Sequence, residues 1–120
     1  TEIYTLSLHD ALPICQENLR DAFDLVTARA VARMAILNEF CLPFAKPGGL
    51  FVAMKGSNPE DEVKEAARSL SELKGKWVST PAFSLPLENS ERHLVLIQKT
   101  SPTPKKYPRK AGIPAKTPLV

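Results

Sequence analysis

Two positively charged residues each close an apolar run that is typical of a buried β-strand. Arg29 ends the run Phe-Asp-Leu-Val-Thr-Ala-Arg, and Lys55 ends the run Leu-Phe-Val-Ala-Met-Lys. A guanidinium can bind a carboxylate or a phosphate through paired hydrogen bonds, and an ammonium can bind a phosphate as a point charge. Ligands of open α/β sheets lie beyond the carboxyl ends of the strands. We therefore predict that Arg29 and Lys55 present their charged groups to one shared crevice.

A helix predicted between these residues joins the two strands into a βαβ unit. Its apolar side chains recur every three to four positions, as in a helix with one buried face. They are Met34, Leu37, Phe40, Cys41 and Phe44. Asn38 and Glu39 are predicted to face away from that side. Pro43 cannot donate to the helical ladder, so the helix should end near it, and the Pro-Gly-Gly at 47–49 predicts a turn before the second strand.

Capping signals predict a second helix after Lys55. Ser57 or Asn58 can cap it, Pro59 suits its first turn, and the acidic residues that follow favour the positive amino end of a helix. Its apolar stripe consists of Val63, Ala66, Ala67, Leu70 and Leu73. The Lys-Gly pair at 74–75 should end it.

Two further extended segments complete the predicted sheet. Residues 77–79 are followed by Pro81 and Pro86, which places this segment at a sheet edge or in a loop. Residues 93–97 form a continuous apolar strand. The pattern therefore predicts half of an α/β sheet, with two parallel strands and their helices, closed by one or two further strands.

The composition is that of one small globular domain. The chain has 120 residues, 43% of them hydrophobic, and no apolar run approaches the roughly 18 residues that cross a bilayer. Cys15 and Cys41 form no Cys-x-x-Cys or Cys/His cluster, so neither a structural metal site nor a disulfide framework is expected. We expect a cytoplasmic protein that uses no metal and no membrane.

The first residues of the chain differ in character from the rest. The string TEIYTLSLHDALPI at 1–14 resembles, residue for residue, one translated reading frame of the adapter oligonucleotide used in short-read sequencing. We predict that residues 1–14 are not native and that the true preceding sequence is missing, and we exclude them from fold reasoning. A genuine, poorly patterned strand is the alternative. The remainder divides into a partial α/β domain at 15–100 and a tail at 101–120.

The tail at 101–120 carries the excess positive charge of the chain. It contains five basic residues and no acidic one, whereas residues 15–100 are close to neutral. The basic residues around Tyr107 are Lys105, Lys106, Arg109 and Lys110. Such a cluster suits phosphate binding, with one aromatic ring available for base stacking. Its prolines favour an extended tail rather than a helical one, and a solvated, disordered terminus is the alternative.

Several short motifs occur in order along the chain. They are Phe-Asp at 23–24, Thr-Ala-Arg-Ala at 27–30, Pro-Gly-Gly at 47–49, Lys-Gly at 55–56, Ser-Glu-Arg-His at 90–93 and Thr-Pro-Lys-Lys-Tyr-Pro-Arg-Lys at 103–110. This series resembles the carboxyl-terminal half of the bacterial small-subunit (16S) ribosomal RNA guanine-N7 methyltransferase family (glucose-inhibited division protein B). The resemblance implies an α/β fold, the fourth to seventh strands of a Rossmann-like class I methyltransferase with a doubly wound, mostly parallel sheet.

The resemblance also implies a cofactor and roles for individual residues. Arg29 would contact the cofactor, S-adenosylmethionine. Contacts to the substrate or to ribosomal RNA of the small subunit would come from Lys55, Arg92, Lys105, Lys106, Arg109 and Lys110. No catalytic base is implied, because guanine N7 carries a free lone pair and can attack the sulfonium methyl without losing a proton. His93 is interpreted as a packed residue rather than a catalyst.

The family's glycine-rich loop, which brings the backbone close to the cofactor, does not occur in this sequence. We therefore predict that the chain is inactive by itself. Two alternatives remain open, a non-catalytic RNA-binding module and a nicotinamide-dependent Rossmann enzyme of another class. The basic tail and the lack of a Tyr-x-x-x-Lys pair argue against the second alternative.

Overall fold

The computed structural model describes residues 3–6, 20–29, 33–56, 59–84, 91–107, 109 and 113–119. Sequence predictions that concern Cys15, Ser57, Asn58, Pro86 and Lys110 lie outside the described residues.

Strands and short helices alternate along the described residues. The strands are β1 (Ile3–Leu6), β2 (Phe23–Arg29), β3 (Ala45–Lys55), β4 (Gly75–Ser79), β5 (Ala82–Ser84) and β6 (Glu91–Lys99). The helices are α1 (Met34–Cys41), α2 (Glu60–Glu65), α3 (Ala67–Leu73) and α4 (Ile113–Lys116). A 3₁₀ turn at Leu42–Phe44 continues α1. Pro43 lies in that turn, so the predicted end of the first helix is confirmed.

The six strands form one mixed sheet in the order β1-β2-β3-β6-β4, and β5 also pairs with β6. The pairs β1–β2 and β2–β3 are parallel, whereas β6 is antiparallel to β3, β4 and β5. Since α1 connects two adjacent parallel strands, the predicted βαβ unit is confirmed. Three strands rather than one or two close the sheet, and β4 lies at its edge, as the prolines after it predicted.

Strand β1 lies within residues 1–14, the segment whose sequence resembles a translated adapter. Its residues pair in parallel with β2, from Ile3 beside Leu25 to Leu6 beside Ala28. Strand pairing of these four residues does not test where the segment came from. The adapter origin of residues 1–14 therefore stays a prediction.

The Pro-Gly-Gly at 47–49 lies inside β3 instead of forming a separate turn before it. Pairing with β2 passes from Phe23 beside Ala45 to Leu25 beside Leu50, so the segment forms an irregularity in the register. Gly48 has a φ of +87°, a left-handed conformation in which a Cβ is disfavoured. The sequence thus identified the irregular backbone at 47–49. It did not show that β3 pairs with β2 both before and after this segment.

The helices of the described residues pack on one face of the sheet, here called the covered face. Its buried strand residues are Val26, Ala28, Phe51, Ala53, Val95 and Ile97. They form one hydrophobic core with the buried side of the helices, including Leu37, Leu42 and Leu73. The alternate strand residues point to the opposite, open face. There Leu94 and Leu96 are half-buried and Met54 is 45% exposed.

The prediction that Asn38 and Glu39 face away from the buried side of α1 is wrong. Both side chains are fully buried, because α3 and the tail cover that side of the helix. Asn38 Nδ2 donates to Ser69 Oγ at 2.8 Å, and Ser69 Oγ donates to the Ala66 carbonyl at 2.7 Å. Ser69 thus provides a partner for the Asn38 amide nitrogen, whereas Asn38 Oδ1 has no hydrogen-bond partner among the described residues.

The second predicted helix is divided at Ala66 into α2 and α3. Val63, Leu70 and Leu73 are buried as predicted, but Ala67 is exposed. Lys74 adopts the left-handed conformation that ends α3, with a φ of +65°. The glycine that follows has a packing role, since a Cβ at Gly75 would lie 2.8 Å from a Leu42 methyl and 2.9 Å from an Ile97 methyl.

A buried lysine, which the sequence analysis missed, ties together the amino-terminal edge of the parallel strands. Lys99 ends β6 with a fully buried side chain. Its Nζ donates to Asp21 Oδ1 at 2.8 Å, to the Leu42 carbonyl at 2.7 Å and to the Ala45 carbonyl at 2.8 Å. Burial lowers the pKa of Lys99, and the Asp21 carboxylate opposes that shift.

Neither a membrane-spanning helix nor a metal-binding group of side chains occurs among the described residues. Their helices are too short and too polar to cross a bilayer. Their His, Cys, Asp and Glu side chains form no group that could hold a metal ion.

Candidate functional site

Arg29 and Lys55 lie at the same edge of the sheet but on opposite faces. The register places Arg29 beside Met54, so the two share the open face, and the next residue of β3, Lys55, points to the covered face. Arg29 is exposed, whereas Lys55 is only 9% exposed. Contrary to the sequence prediction, the structure does not bring the two charged groups into one crevice.

Lys55 connects the end of β3 to the helices of the covered face. Its Nζ lies 2.6 Å from Glu62 Oε1 on α2, and the same oxygen accepts a hydrogen bond from the Met34 amide at 2.6 Å. Met34 begins α1, so one carboxylate holds a strand end and a helix start together. In this geometry Lys55 positions the end of β3 against the helices. The RNA contact predicted for Lys55 stays a prediction.

Arg92 lies near Arg29 on the open face. Leu94 pairs with Met54, and Arg92 is two residues from Leu94 on the same strand, so Arg92 shares the face of Arg29. Its Nη1 lies near the backbone just after β3, since a Cβ at Gly56 would be 3.9 Å from it. The same Nη1 donates to the Glu91 carbonyl at 3.3 Å. The structure thus brings together Arg29 and Arg92 at one edge of one face.

His93 lies on the other side of the sheet from Arg92. It pairs with Lys55 across the strands and is 7% exposed. Its Nε2 lies 3.1 Å from Glu91 Oε1, and its Nδ1 has no hydrogen-bond partner among the described residues. His93 is therefore a packed strand residue on the covered face, away from the two guanidinium groups.

The tail is fastened to the helices instead of extending into solvent. Thr103 Oγ1 donates to the Leu73 carbonyl at 3.0 Å, and Tyr107 Oη donates to Glu72 Oε2 at 3.0 Å. Arg20 donates to the Tyr107 carbonyl at 2.7 Å and also reaches the carbonyls of Thr103 and Pro104. The prediction of a tail without helix is wrong at α4, where the Thr117 amide bonds to the Ile113 carbonyl at 2.8 Å.

Arg109 anchors the tail to α1 through the buried Glu39. Its Nη2 lies 2.8 Å from Glu39 Oε1, its Nε lies 3.0 Å from Oε2, and its backbone amide donates to Oε2 at 2.7 Å. Nη2 also donates to the Thr117 carbonyl at 2.7 Å. The hydrogen bond to Glu39 raises the pKa of Arg109. This guanidinium serves the fold, while the RNA contact predicted for it stays untested.

Lys105 and Lys106 are exposed lysines of the described tail, as is Lys116. Lys105 and Lys106 occupy the turn between the anchored residues Thr103 and Tyr107. Lys106 Nζ lies 3.9 Å from a Glu72 carboxylate oxygen and 5.3 Å from the centre of the Tyr107 ring. Because the residues on both sides of the turn are hydrogen-bonded to the rest of the fold, these two ammonium groups project from a fixed part of the surface.

The turn that carries Lys105 and Lys106 lies at the opposite end of the parallel strands from Arg29 and Arg92. The turn follows Lys99, which contacts the residues at the starts of β2 and β3, whereas Arg29 ends β2. Strands of this length separate the edges by roughly 20 Å at about 3.3 Å per residue. The described members of the predicted site therefore do not form one site, since Lys55 also lies on the opposite face from Arg29 and Arg92. Sequence order could not show this, because the direction of β6 relative to β3 is a tertiary property.

The fold defines the class of protein as Rossmann-like α/β. A family model described as GidB, rRNA small subunit methyltransferase G, matches residues 5–95. The ribosomal RNA small subunit methyltransferase G of Levilactobacillus brevis is 53% identical over 100 residues, which cover 83% of this chain and 41% of that protein. The same protein of an Exiguobacterium species is 54% identical over 104 residues, covering 87% and 44%. This chain belongs to the GidB family, and the resemblance drawn from its motifs is confirmed.

The chain spans about two fifths of the length of these relatives. Among solved structures, it is similar to an S-adenosylmethionine-dependent O-methyltransferase of Thermotoga maritima, with 18% identity and a TM-score of 0.42 over 69% of this chain and 36% of that one. So distant a likeness adds nothing about function.

Proposed function

We propose that this chain is part of a cytoplasmic methyltransferase that transfers a methyl group from S-adenosylmethionine to N7 of a guanine in 16S ribosomal RNA. Membership of the GidB family carries the proposal. The two arginines at the carboxyl edge of the open face support it, because that edge is where α/β sheets bind ligands.

Arg29 suits one end of the cofactor. It is exposed at the end of β2, and no ion pair joins it to a carboxylate among the described residues. A guanidinium in that position can bind the cofactor's α-carboxylate through two parallel hydrogen bonds. S-adenosylmethionine supplies an electrophilic methyl group when bound. The other cofactor contacts would come from sequence outside this chain, since it contains no glycine-rich loop after a strand.

The proposed reaction needs orientation more than proton transfer. Guanine N7 attacks through its own lone pair, so a general base is unnecessary and the residues of the site need only align nucleophile and methyl group. In this proposal Arg92 contacts the substrate beside Arg29, while Lys105 and Lys106 bind RNA phosphate at the other edge. Lys55 acts mainly by holding α1 and α2 against β3.

A chimeric enzyme tests this proposal. The matching 100 residues of the Levilactobacillus brevis relative are replaced by the corresponding residues of this chain, and the product is incubated with unmethylated small subunits and methyl-labelled cofactor. We expect labelled 16S RNA that borohydride and aniline cleave at one guanine, a reaction specific to N7-methylguanine. The unfused chain should transfer no methyl group.

Paired variants of the chimera test the cofactor role. Arg29→Lys should lower kcat/KM for S-adenosylmethionine by about tenfold or more, since a lysine cannot form the paired contact. Arg33→Lys is the matched control, because Arg33 is an exposed arginine whose guanidinium already pairs with Glu65. Methylation of an atom other than N7 would contradict the proposal. An inactive chimera that still binds RNA would contradict it and favour a non-catalytic RNA-binding module.

A further inference from the structure

An exposed aromatic residue lies beside Arg92 on the open face. Phe83 in β5 pairs with Arg92 of β6 in the antiparallel register, so the two side chains share the open face. Phe83 is 38% exposed. It belongs to none of the residues that the sequence analysis selected, because β5 is short and its pairing with β6 is visible only in the structure.

Four strands bring these side chains into two adjacent lines at the carboxyl edge. Arg29, Met54 and Leu94 lie side by side across β2, β3 and β6, and the pair of Arg92 and Phe83 lies two residues from Leu94 along β6. Neighbouring strands are about 4.8 Å apart, so the group is roughly 15 Å wide. Met54 is 45% exposed and Phe83 is 38% exposed. Met54 is the neighbour of Arg29 and Phe83 the neighbour of Arg92, so the group offers apolar and cationic side chains together.

The charge of the open face favours an anionic occupant. Among the described strand residues, Arg29 and Arg92 lie on this face at the carboxyl edge, and Lys76 lies on the same face at the opposite edge. Glu91 alternates with Arg92 and therefore points to the covered face, toward His93. A nucleotide uses both kinds of group, because its base stacks on an aromatic ring and its phosphate pairs with a guanidinium.

We propose that Phe83 is a stacking platform for an unpaired RNA base, with Met54 extending the apolar surface and Arg92 binding the adjacent phosphate. This inference rests on the proposed function and adds a residue and a mode of contact to it. A base that is methylated at N7 must first leave its helix, and an exposed ring at the carboxyl edge can hold that base or its neighbour. The ring is 38% exposed in the described structure.

Binding of single-stranded RNA by the whole 120-residue chain tests the platform. The probe is a fluorescein-labelled RNA of eight nucleotides, compared with an oligomer of the same length in which every base is replaced by an abasic site. Fluorescence anisotropy at fixed low salt should show that Phe83→Leu weakens binding of the intact RNA by about tenfold, as removal of one stacking ring does. Binding of the abasic oligomer should be unchanged by the same substitution.

Two further variants separate stacking from folding and general hydrophobicity. Phe83→Tyr keeps the ring and should bind within about twofold of the unchanged chain. Val78→Ala removes a side chain that is even more exposed, at 53%, from the neighbouring edge strand, and should have no effect. Circular dichroism and a melting curve confirm that each variant folds.

The outcomes distinguish this inference from the proposed function. If Phe83→Leu binds intact RNA as well as the unchanged chain does, the platform is wrong, while salt-sensitive binding through the tail still supports the proposed function. Equal weakening with the abasic oligomer would also overturn it. Failure of the unchanged chain to bind either oligomer would overturn both. Concentration-dependent dimers in sedimentation that Phe83→Leu abolishes would assign the surface to a second copy of the chain instead.

Discussion

The guanidinium of Arg109 and the carboxylate of Glu39 form an ion pair through both carboxylate oxygens, which fastens the tail to α1. Glu39 is fully buried, and the side chain of Arg109 is 23% exposed. An ion pair on an exposed surface contributes little to stability. A buried carboxylate such as that of Glu39 would destabilise the fold if it had no charged partner. The pair therefore holds the tail against α1, and its removal should lower the free energy of unfolding.

Glu39→Gln should lower the free energy of unfolding by about 3 kcal/mol, because it leaves the Arg109 charge without a partner. Urea denaturation followed by circular dichroism measures this loss. Glu65→Gln is the matched control, since Glu65 pairs with Arg33 on the surface and should cost less than about 1 kcal/mol. Similar losses in the two variants would show that the tail pair contributes no more than a surface contact.

Lys99→Met should be more damaging, with a loss of about 3–5 kcal/mol, because it leaves the Asp21 carboxylate and two backbone carbonyls without their donor. Lys46→Met provides the comparison. Lys46 pairs with Asp24 at 2.7 Å but is 42% exposed, so its loss should cost less than about 1 kcal/mol. Adding Asp21→Asn to Lys99→Met should recover part of the stability, and an additive loss would refute the proposed contact.

The stability of the chain should depend on alkaline pH through Cys41. Burial raises the pKa of the Cys41 thiol above its ordinary value of 9.0. Below that value both states are protonated; above it the unfolded state releases the proton and the folded state does not, so stability falls as pH rises. The difference in unfolding free energy between the unchanged chain and Cys41→Ala should therefore shrink by about 1.4 kcal/mol from pH 8 to pH 10. A constant difference would mean that the folded thiol also ionises.

RNA affinity should depend on the exposed tail lysines more than on charge in general. Lys105→Gln with Lys106→Gln should reduce the salt slope for single-stranded RNA by about 1.4, at roughly 0.7 for each phosphate that a lysine no longer neutralises. Lys64→Gln with Arg68→Gln removes the same charge from exposed positions on α2 and α3 and should leave the slope unchanged. Anisotropy titrations between low and moderate salt give both slopes. Equal effects would indicate non-specific attraction.

Local patterns in the sequence determined the elements of this protein. Apolar runs identified β2, β3 and β6, three-to-four spacing identified α1, and the ordered motifs identified the family. These signals are local, because a strand or helix depends mainly on residues within a few positions of one another. The sequence also pointed to Arg29 and Arg92, which the structure brings to one face.

Only the tertiary structure decided which side chains meet. A shift of one residue in register moves a side chain to the other face of a sheet, which is why Arg29 and Lys55 separate although both end neighbouring strands. Glu39, Lys99 and Arg109 look like surface residues in the sequence, yet distant partners make their burial favourable. Phe83 lies beside Arg92 for a similar reason, since strand pairing joins two separate segments. Such partners lie far apart along the chain, and only the folded arrangement of the strands and the docked tail brings them together.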